Sequence, residues 1–206
     1  MTDAVLFQAL DYAGVATFAA SGALVAVKRR HDVLTFVFFA AITGIGGGTL
    51  RDLLMGVPVF WLREPGYLYV VTLVGVAVWV VGSGAAWSGR ALLWLDAVGL
   101  AAYASLGAEK ALAAGLPAPV AILMGILTGT FGGVLRDVLA GEPSVLLRRE
   151  IYITAALASA GAFVAFRTLG ALDVTAAALV AAALGFALRA GAIVRGWSLP
   201  QHRGSA

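Results

Sequence analysis

Long apolar runs and short polar breaks alternate along the chain. Runs able to cross about 30 Å of hydrocarbon fall at roughly 4–27, 33–62, 67–87, 91–113, 118–147, 151–168 and 172–194. The breaks between them carry turn and charge signals: Lys28-Arg29-Arg30-His31-Asp32, Arg63-Glu64-Pro65-Gly66, Ser88-Gly89-Arg90, Gly115-Leu116-Pro117, Arg148-Arg149-Glu150, and Gly170 to Asp173. The pattern predicts an all-α membrane protein of seven transmembrane helices. The sixth segment is the shortest. The second and fifth run about 30 residues each, or about 45 Å as a straight helix, and so predict a strong tilt or a break. Trp61, Tyr67, Tyr69, Trp87, Trp94 and Trp197 stand near segment ends, as interfacial aromatics do, whereas Trp79 reads as a packing residue.

Inside the second run lies Thr43-Gly44-Ile45-Gly46-Gly47-Gly48-Thr49-Leu50-Arg51-Asp52. Glycine in a helix interior costs roughly 1 kcal/mol relative to alanine. Arg and Asp at membrane depth cost about 2.5–3.5 kcal/mol each. The unfavourable segment returns 85 residues later as Thr128-Gly129-Thr130-Phe131-Gly132-Gly133-Val134-Leu135-Arg136-Asp137. Between 43–58 and 128–143, ten of sixteen positions are identical: Thr43, Gly44, Gly47, Gly48, Leu50, Arg51, Asp52, Leu54, Gly56 and Pro58 with their counterparts. The same offset pairs Asp11 with Asp96, Gly14 with Gly99, Gly22 with Gly107, and Tyr67 with Tyr152.

The repeat unit is thus three segments, about 5–87 and 91–168, followed by an extra helix at about 172–194 within one transmembrane domain spanning 1–206. An odd count per unit makes the second copy enter the membrane from the opposite side, so the halves form inverted repeats. Broken helices at matching places in such repeats point to a permeation or binding site.

Composition agrees with a membrane class: 61% of the 206 residues are hydrophobic and 12% charged. There is no cysteine, hence no disulfide framework or thiolate metal site. A net charge of +3 does not imply nucleic acid, because the basic residues sit between apolar segments, where they write topology. With the N-terminus outside, the inside loops hold Lys28, Arg29, Arg30, Arg90, Arg148, Arg149, Arg189, Arg195 and Arg203; the outside loops hold Arg63, Lys110 and Arg167. The balance predicts N-outside, C-inside, multi-pass in a cell inner membrane. No cleavable signal peptide is evident.

The site candidates are the residues of the two glycine segments: Thr43, Gly44, Gly46, Gly47, Gly48, Thr49, Arg51, Asp52, Thr128, Gly129, Gly132, Gly133, Arg136 and Asp137. Glycines at small-xxx-small spacing serve close helix packing. Three in succession exceed that need and predict a helix break whose carbonyls line a polar path. Arg51 and Arg136 are expected to pair across the repeat, with Asp137 and Asp52 respectively, because neighbours on one helix do not face each other. The alternative reading makes them markers of helix ends. Asp11 and Asp96 are helix-start carboxylates or a cation-attracting mouth. Thr130 and the other threonines can simply bond their own backbone. Ser21, Ser105, Tyr12 and Tyr103 are weaker candidates. His31 and His202 have no second ligand at metal spacing, so no metal is predicted. No catalytic constellation or cofactor motif is present, so an enzyme is not predicted.

The duplicated motif, GGTLRDLLMGVP and GGVLRDVLAGEP, with segments arranged three plus three plus one, resembles the trimeric intracellular cation channel family, in its prokaryotic branch. The resemblance spans about residues 5–194. It implies a homotrimer in the lipid bilayer with one pore per protomer, kinked at Gly46 to Gly48 and Gly132 to Gly133, that passes monovalent cations, chiefly potassium. The lipid-binding Lys-Glu-Val signature of animal members is absent around Lys110, which follows Glu109 and precedes Ala111. A secondary transporter of a small zwitterion such as glycine shares the same architecture and is the rival expectation. A protein whose glycines only pack is a third.

Overall fold

The computed structural model describes residues 2–82, 89–147 and 151–200. Trp87, Arg148, Arg149, His202 and Arg203 lie outside the described residues. Among those described, the chain is all-helical: α1 (Thr2–Lys28), α2 (Val33–Leu54), the short α3 (Phe60–Arg63), α4 (Gly66–Val81), α5 (Gly89–Ala113), α6 (Ala118–Leu139), α7 (Ile153–Thr168) and α8 (Val174–Arg195), with a 3-10 turn at Val145–Leu147. Five stretches are long and apolar enough to cross a membrane: Phe7–Lys28, α2, α5, α6 and α8; α4 and α7 are shorter apolar helices. This is a multi-pass helical membrane architecture.

The helices end where local chemistry dictates, and not at the three glycines. Both α2 and α6 run unbroken through their glycine segments for 22 residues. Each stops six residues after its last motif glycine, two residues before Gly56 and Gly141, which take φ of 67° and 64°, a left-handed conformation that suits glycine. The Val57 amide then donates back to the Asp52 carbonyl (3.0 Å), as the Glu142 amide does to that of Asp137 (2.9 Å). Pro58 and Pro143 follow and prevent helix continuation. The excess length of the second and fifth runs is therefore resolved by a turn, followed by α3 in one case and the 3-10 turn in the other.

At the centre α2 crosses α6, flanked by α1 and α5, with α4 against α1 and α2 and α7 against α5 and α6; α8 packs on α5 and α7. Small residues make the close approach possible. A Cβ on Gly47 would stand 2.2 Å from the Thr128 carbonyl oxygen, and one on Gly132 would stand 2.2 Å from that of Thr43. Gly22 and Gly107 similarly face the side chains of Thr43 and Thr128. Each threonine is thus embedded between glycines of two other helices. The remaining motif glycines meet other neighbours: Gly44 meets Val71, Val15 and Ala19, Gly46 meets Leu135, and Gly48 meets the Phe60 ring. The prediction that adjacent glycines exceed packing needs is corrected here. They point in different directions, and a close neighbour lies in each.

Two aromatic expectations change as well. Trp79 is 48% exposed, on the outward face of α4, so it does not pack inside the protomer. Tyr67 is buried rather than interfacial.

Candidate functional site

Among the described residues, six charged side chains of the central helices are almost wholly buried: Asp11, Arg51, Asp52, Asp96, Arg136 and Asp137. Uncompensated charges at such depth are not tolerated, so each needs a partner. The pairing expected across the repeat does not occur. Asp52 Oδ1 accepts from its own neighbour, with Arg51 Nε at 2.8 Å and Nη2 at 2.6 Å. Asp137 Oδ1 likewise accepts from Arg136 Nε at 2.9 Å. The reason is a backbone anchor. Asp52 Oδ2 accepts from the Phe60 amide and Asp137 Oδ2 from the Val145 amide, each at 2.9 Å. Held by the returning chain, each carboxylate stays at the helix end, and the long arginine bends round to reach it.

Beyond these dipeptides two clusters form. In the first, Asp11 is saturated from three directions: Tyr103 donates to Oδ1 (2.8 Å), while Tyr67 (2.9 Å) and Lys110 Nζ (2.8 Å) donate to Oδ2. Tyr12 stacks on Tyr67 at 4.4 Å and donates to Glu64 Oε1, which Gln8 also reaches. Phe60 places its ring 5.1 Å from Lys110 Nζ and 5.9 Å from the Arg51 guanidinium carbon. In the second, Arg136 Nη1 donates to Asp96 Oδ1 (2.8 Å) and to Ser21 Oγ (3.1 Å). Tyr152 sits alongside, and the Arg189 guanidinium carbon lies 5.2 Å from its ring.

Cavities reach these clusters from opposite ends of α1 and α5. One of about 490 Å³ is lined by Gln8, Asp11, Glu64, Glu109 and Lys110, among others. One of about 330 Å³ is lined by Lys28, Arg90, Asp137 and Glu142 with apolar neighbours. The crossing of Gly47 with Thr128 and Gly132 with Thr43 lies halfway along α2 and α6.

The hydroxyl candidates divide. Thr49, Thr128 and Thr130 donate to carbonyls four residues back, at 2.7, 2.6 and 2.7 Å. Thr49 Oγ1 also accepts from Trp61 Nε1 (2.9 Å), which draws that indole inward. Ser105 donates to the Ala102 carbonyl. Thr43 Oγ1 is buried without a hydrogen-bond partner among the described residues.

Sequence reasoning missed Lys110, Glu64, Tyr67, Tyr152 and Arg189 as members of these networks. The charge balance counts Lys110 and Arg189 with the loops, whereas Lys110 lies in the last turn of α5 and Arg189 is fully buried within α8. A usable signal existed for the tyrosines: Tyr67 and Tyr152 recur at the repeat offset, as do the aspartates beside which they stand.

These features define a class: a polytopic helical protein whose central helices bury charged residues at the base of two opposed cavities. A family model described as Glycine transporter matches it twice, over residues 8–83 and 93–168. A UPF0126 membrane protein of Vibrio cholerae is 39% identical over 160 residues, covering 75% of this chain and 66% of the relative, so the chain spans about two thirds of that protein. The UPF0126 inner membrane protein YadS of Escherichia coli is 40% identical, with 72% of each chain covered. The solved TRIC trimeric intracellular cation channel orthologue from Rhodobacter sphaeroides superposes with a TM-score of 0.88 at 46% identity, covering 93% of this chain and 99% of that one. The chain belongs to this family, in the prokaryotic TRIC branch.

Proposed function

We propose that the protein is a monovalent-cation channel, chiefly for potassium, that works as a homotrimer with one path in each protomer. On this reading seven helices cross the inner membrane as two inverted three-helix units plus α8, with the N-terminus outside. The path runs beside α1, α2, α5 and α6, and the motif residues around Thr43 to Asp52 and Thr128 to Asp137 line or gate it. The observation that carries the reading is the pair of cavities entering from opposite ends, each with a buried aspartate in its wall. The wall that carries Asp11, Glu64 and Glu109 against Lys110 has an acidic excess that concentrates cations, while the other balances Asp137 and Glu142 with Lys28 and Arg90. Both solved relatives at 46% and 32% identity are described as TRIC cation channels. Permeant potassium or sodium is the only ligand this reading requires, and no catalytic step belongs to it.

The family model's description favours a second reading, a carrier for glycine. Two cavities separated by a tight crossing also suit alternating access. Planar-bilayer recording of the purified protein separates the two. Unitary currents that reverse near the potassium equilibrium potential support the channel; saturable glycine uptake without current steps overturns it. Moving Arg189 and Lys110 from loop to helix leaves eight inside basic residues against two, so a reporter after Ala206 is expected in the cytoplasm. A reporter before Met1 is expected outside; finding both reporters on the cytoplasmic side would remove the odd helix count and with it the inverted arrangement.

A further inference from the structure

One end of the bundle carries a basic turn that the proposed path does not use. Lys28, Arg29, Arg30 and His31 follow one another where α1 gives way to α2. Membrane topology accounts for basic residues in such a turn, but not for how two of these side chains are placed. Arg30 has φ of 51°, whereas the other positive-φ positions among the described residues, Gly56, Gly115, Gly141, Gly170 and Gly196, all carry glycine. An L side chain is disfavoured in that conformation, so the arginine there is backbone strain retained for its charge. Topology does not require it, because Lys28 and Arg29 already mark the turn. Arg29 leans across to the end of α6, with Nη2 3.8 Å from where a Cβ on Gly141 would stand. Beside the turn lies a cavity of about 310 Å³. It is walled by Arg29 and His31 at the turn, by Leu139 at the end of α6, and by Phe38 and Phe39 about 8 Å further along α2. Phe38 and Leu139 are half-exposed, so the cavity opens on the outer surface of the bundle. Among the described residues no carboxylate lies within ion-pair distance of Lys28, Arg29, Arg30 or His31. The adjacent acid, Asp32, is turned to the Thr35 amide and hydroxyl, and Glu142 lines the separate cavity with Lys28 and Arg90.

We propose that this cavity binds an anionic phospholipid of the leaflet at that end of the helices, with its headgroup phosphate at Arg29 and His31. The chemistry of the walls selects the guest. A guanidinium offers a fork of donors to phosphate oxygens, and the imidazole adds an N–H. Basic residues flanking spanning helices recognise anionic headgroups by charge, and Arg30 adds to that charge at the rim. The Phe38, Phe39 and Leu139 side chains receive an acyl chain, which a free phosphate lacks. The site stands apart from the Asp11 and Asp96 clusters, and it holds equally for a channel and for a carrier.

The test is native mass spectrometry of the full chain in detergent, titrated with dioleoyl-phosphatidylglycerol, dioleoyl-phosphatidylcholine or glycerol phosphate. Phosphatidylglycerol is expected to bind about fivefold tighter than phosphatidylcholine or more, with glycerol phosphate not retained. Equal affinity for the two lipids overturns recognition by charge, and retention of glycerol phosphate overturns a lipid as the guest. Arg29→Gln is expected to weaken phosphatidylglycerol binding about fivefold. Arg63→Gln, at the opposite end of the bundle, changes the net charge equally and is expected to leave binding as it was. Undiminished binding in Arg29→Gln, or the same loss in Arg63→Gln, overturns the site. Arg30→Gly is expected to weaken binding yet raise the unfolding midpoint in lipid-free detergent, because it removes charge and strain together. Binding as tight as the parent's in that variant overturns the role given to Arg30.

Discussion

Asp11 and Asp96 stand at matching places 85 residues apart, and their charges are met in different ways. Asp11 recruits Lys110, whose side chain is 26% exposed at a cavity wall, together with two tyrosine hydroxyls. Asp96 recruits Arg136, which is wholly buried and also serves Asp137 and Ser21. One hydroxyl accounts for much of the difference. Gly14 makes room for the Tyr103 ring, and its counterpart Gly99 makes room for Phe18, which occupies the equivalent position at the repeat offset. Tyr103 carries a hydroxyl that reaches Asp11; Phe18 has none to offer Asp96. The duplicated glycine–aromatic crossing thus yields one cluster satisfied at a solvent-facing wall and another that depends on a buried guanidinium. Duplicated packing does not enforce duplicated chemistry.

The comparison is most exposed at Arg136. Arg136→Gln strands Asp96 and Asp137, and removing one member of a buried pair costs about 3–5 kcal/mol. The unfolding midpoint in detergent is expected to fall steeply, and adding Asp96→Asn to recover part of the loss. A drop no larger than that of Lys110→Gln would mean that the two clusters are energetically alike.

The glycine crossing, by contrast, is expected to behave symmetrically. Gly47→Ala and Gly132→Ala each drive a methyl to 2.2 Å from a carbonyl oxygen, and overpacking of this kind costs about 1–3 kcal/mol. Gly46→Ala meets only the flexible end of Leu135 at 3.2 Å and is expected to be milder. Equal stability losses at Gly46 and Gly47 would refute the crossing as the reason for glycine.

Lys110→Gln is expected to cost less than about 1 kcal/mol, because the ammonium is partly hydrated and Asp11 keeps both tyrosine donors. Its cost, measured by thermal unfolding, is expected to shrink further in high salt, whereas that of Arg136→Gln is not. A salt-independent Lys110 effect would place that pair with the buried ones.

The smallest difference concerns the starts of α2 and α6. Asp32 caps α2, accepting from the Thr35 amide (2.8 Å) and hydroxyl (3.1 Å), while its counterpart Pro117 offers α6 no side-chain cap. The Thr35 amide, then the Thr35 hydroxyl, hold the exposed Asp32 carboxyl below its ordinary value. A lowered folded value means that the contribution is present above the unfolded carboxylate range and is lost as pH falls through the lowered one. Hydrogen exchange at the first turn of α2 is therefore expected to speed up on acidification through that range, with the start of α6 unaffected. Equal responses at both helix starts would remove the cap as a difference between the halves.

Much of this was legible in the chain. Apolar runs and their polar breaks located the spanning helices, because membrane-length segments need only hydrophobicity and punctuation. The Gly-Arg-Asp repeat also exposed the two halves, since so costly a segment stands out from its apolar surroundings. The helix ends were less legible. Gly56 with Pro58, and Gly141 with Pro143, marked them, but three consecutive glycines were the louder signal and drew the break to themselves.

What the sequence by itself determined is a helical membrane protein with a duplicated, charge-bearing core, because burial of apolar length and the placement of Gly and Pro are local matters. Only the tertiary structure decided which charge meets which. Arg51 turned to its own neighbour because the Phe60 amide, eight residues on, pinned Asp52. Lys110 crossed from α5 to Asp11, 99 positions away, because Gly14 admitted Tyr103 and brought the two helices together. Such choices depend on distances between helices, and residue spacing along one chain does not encode them.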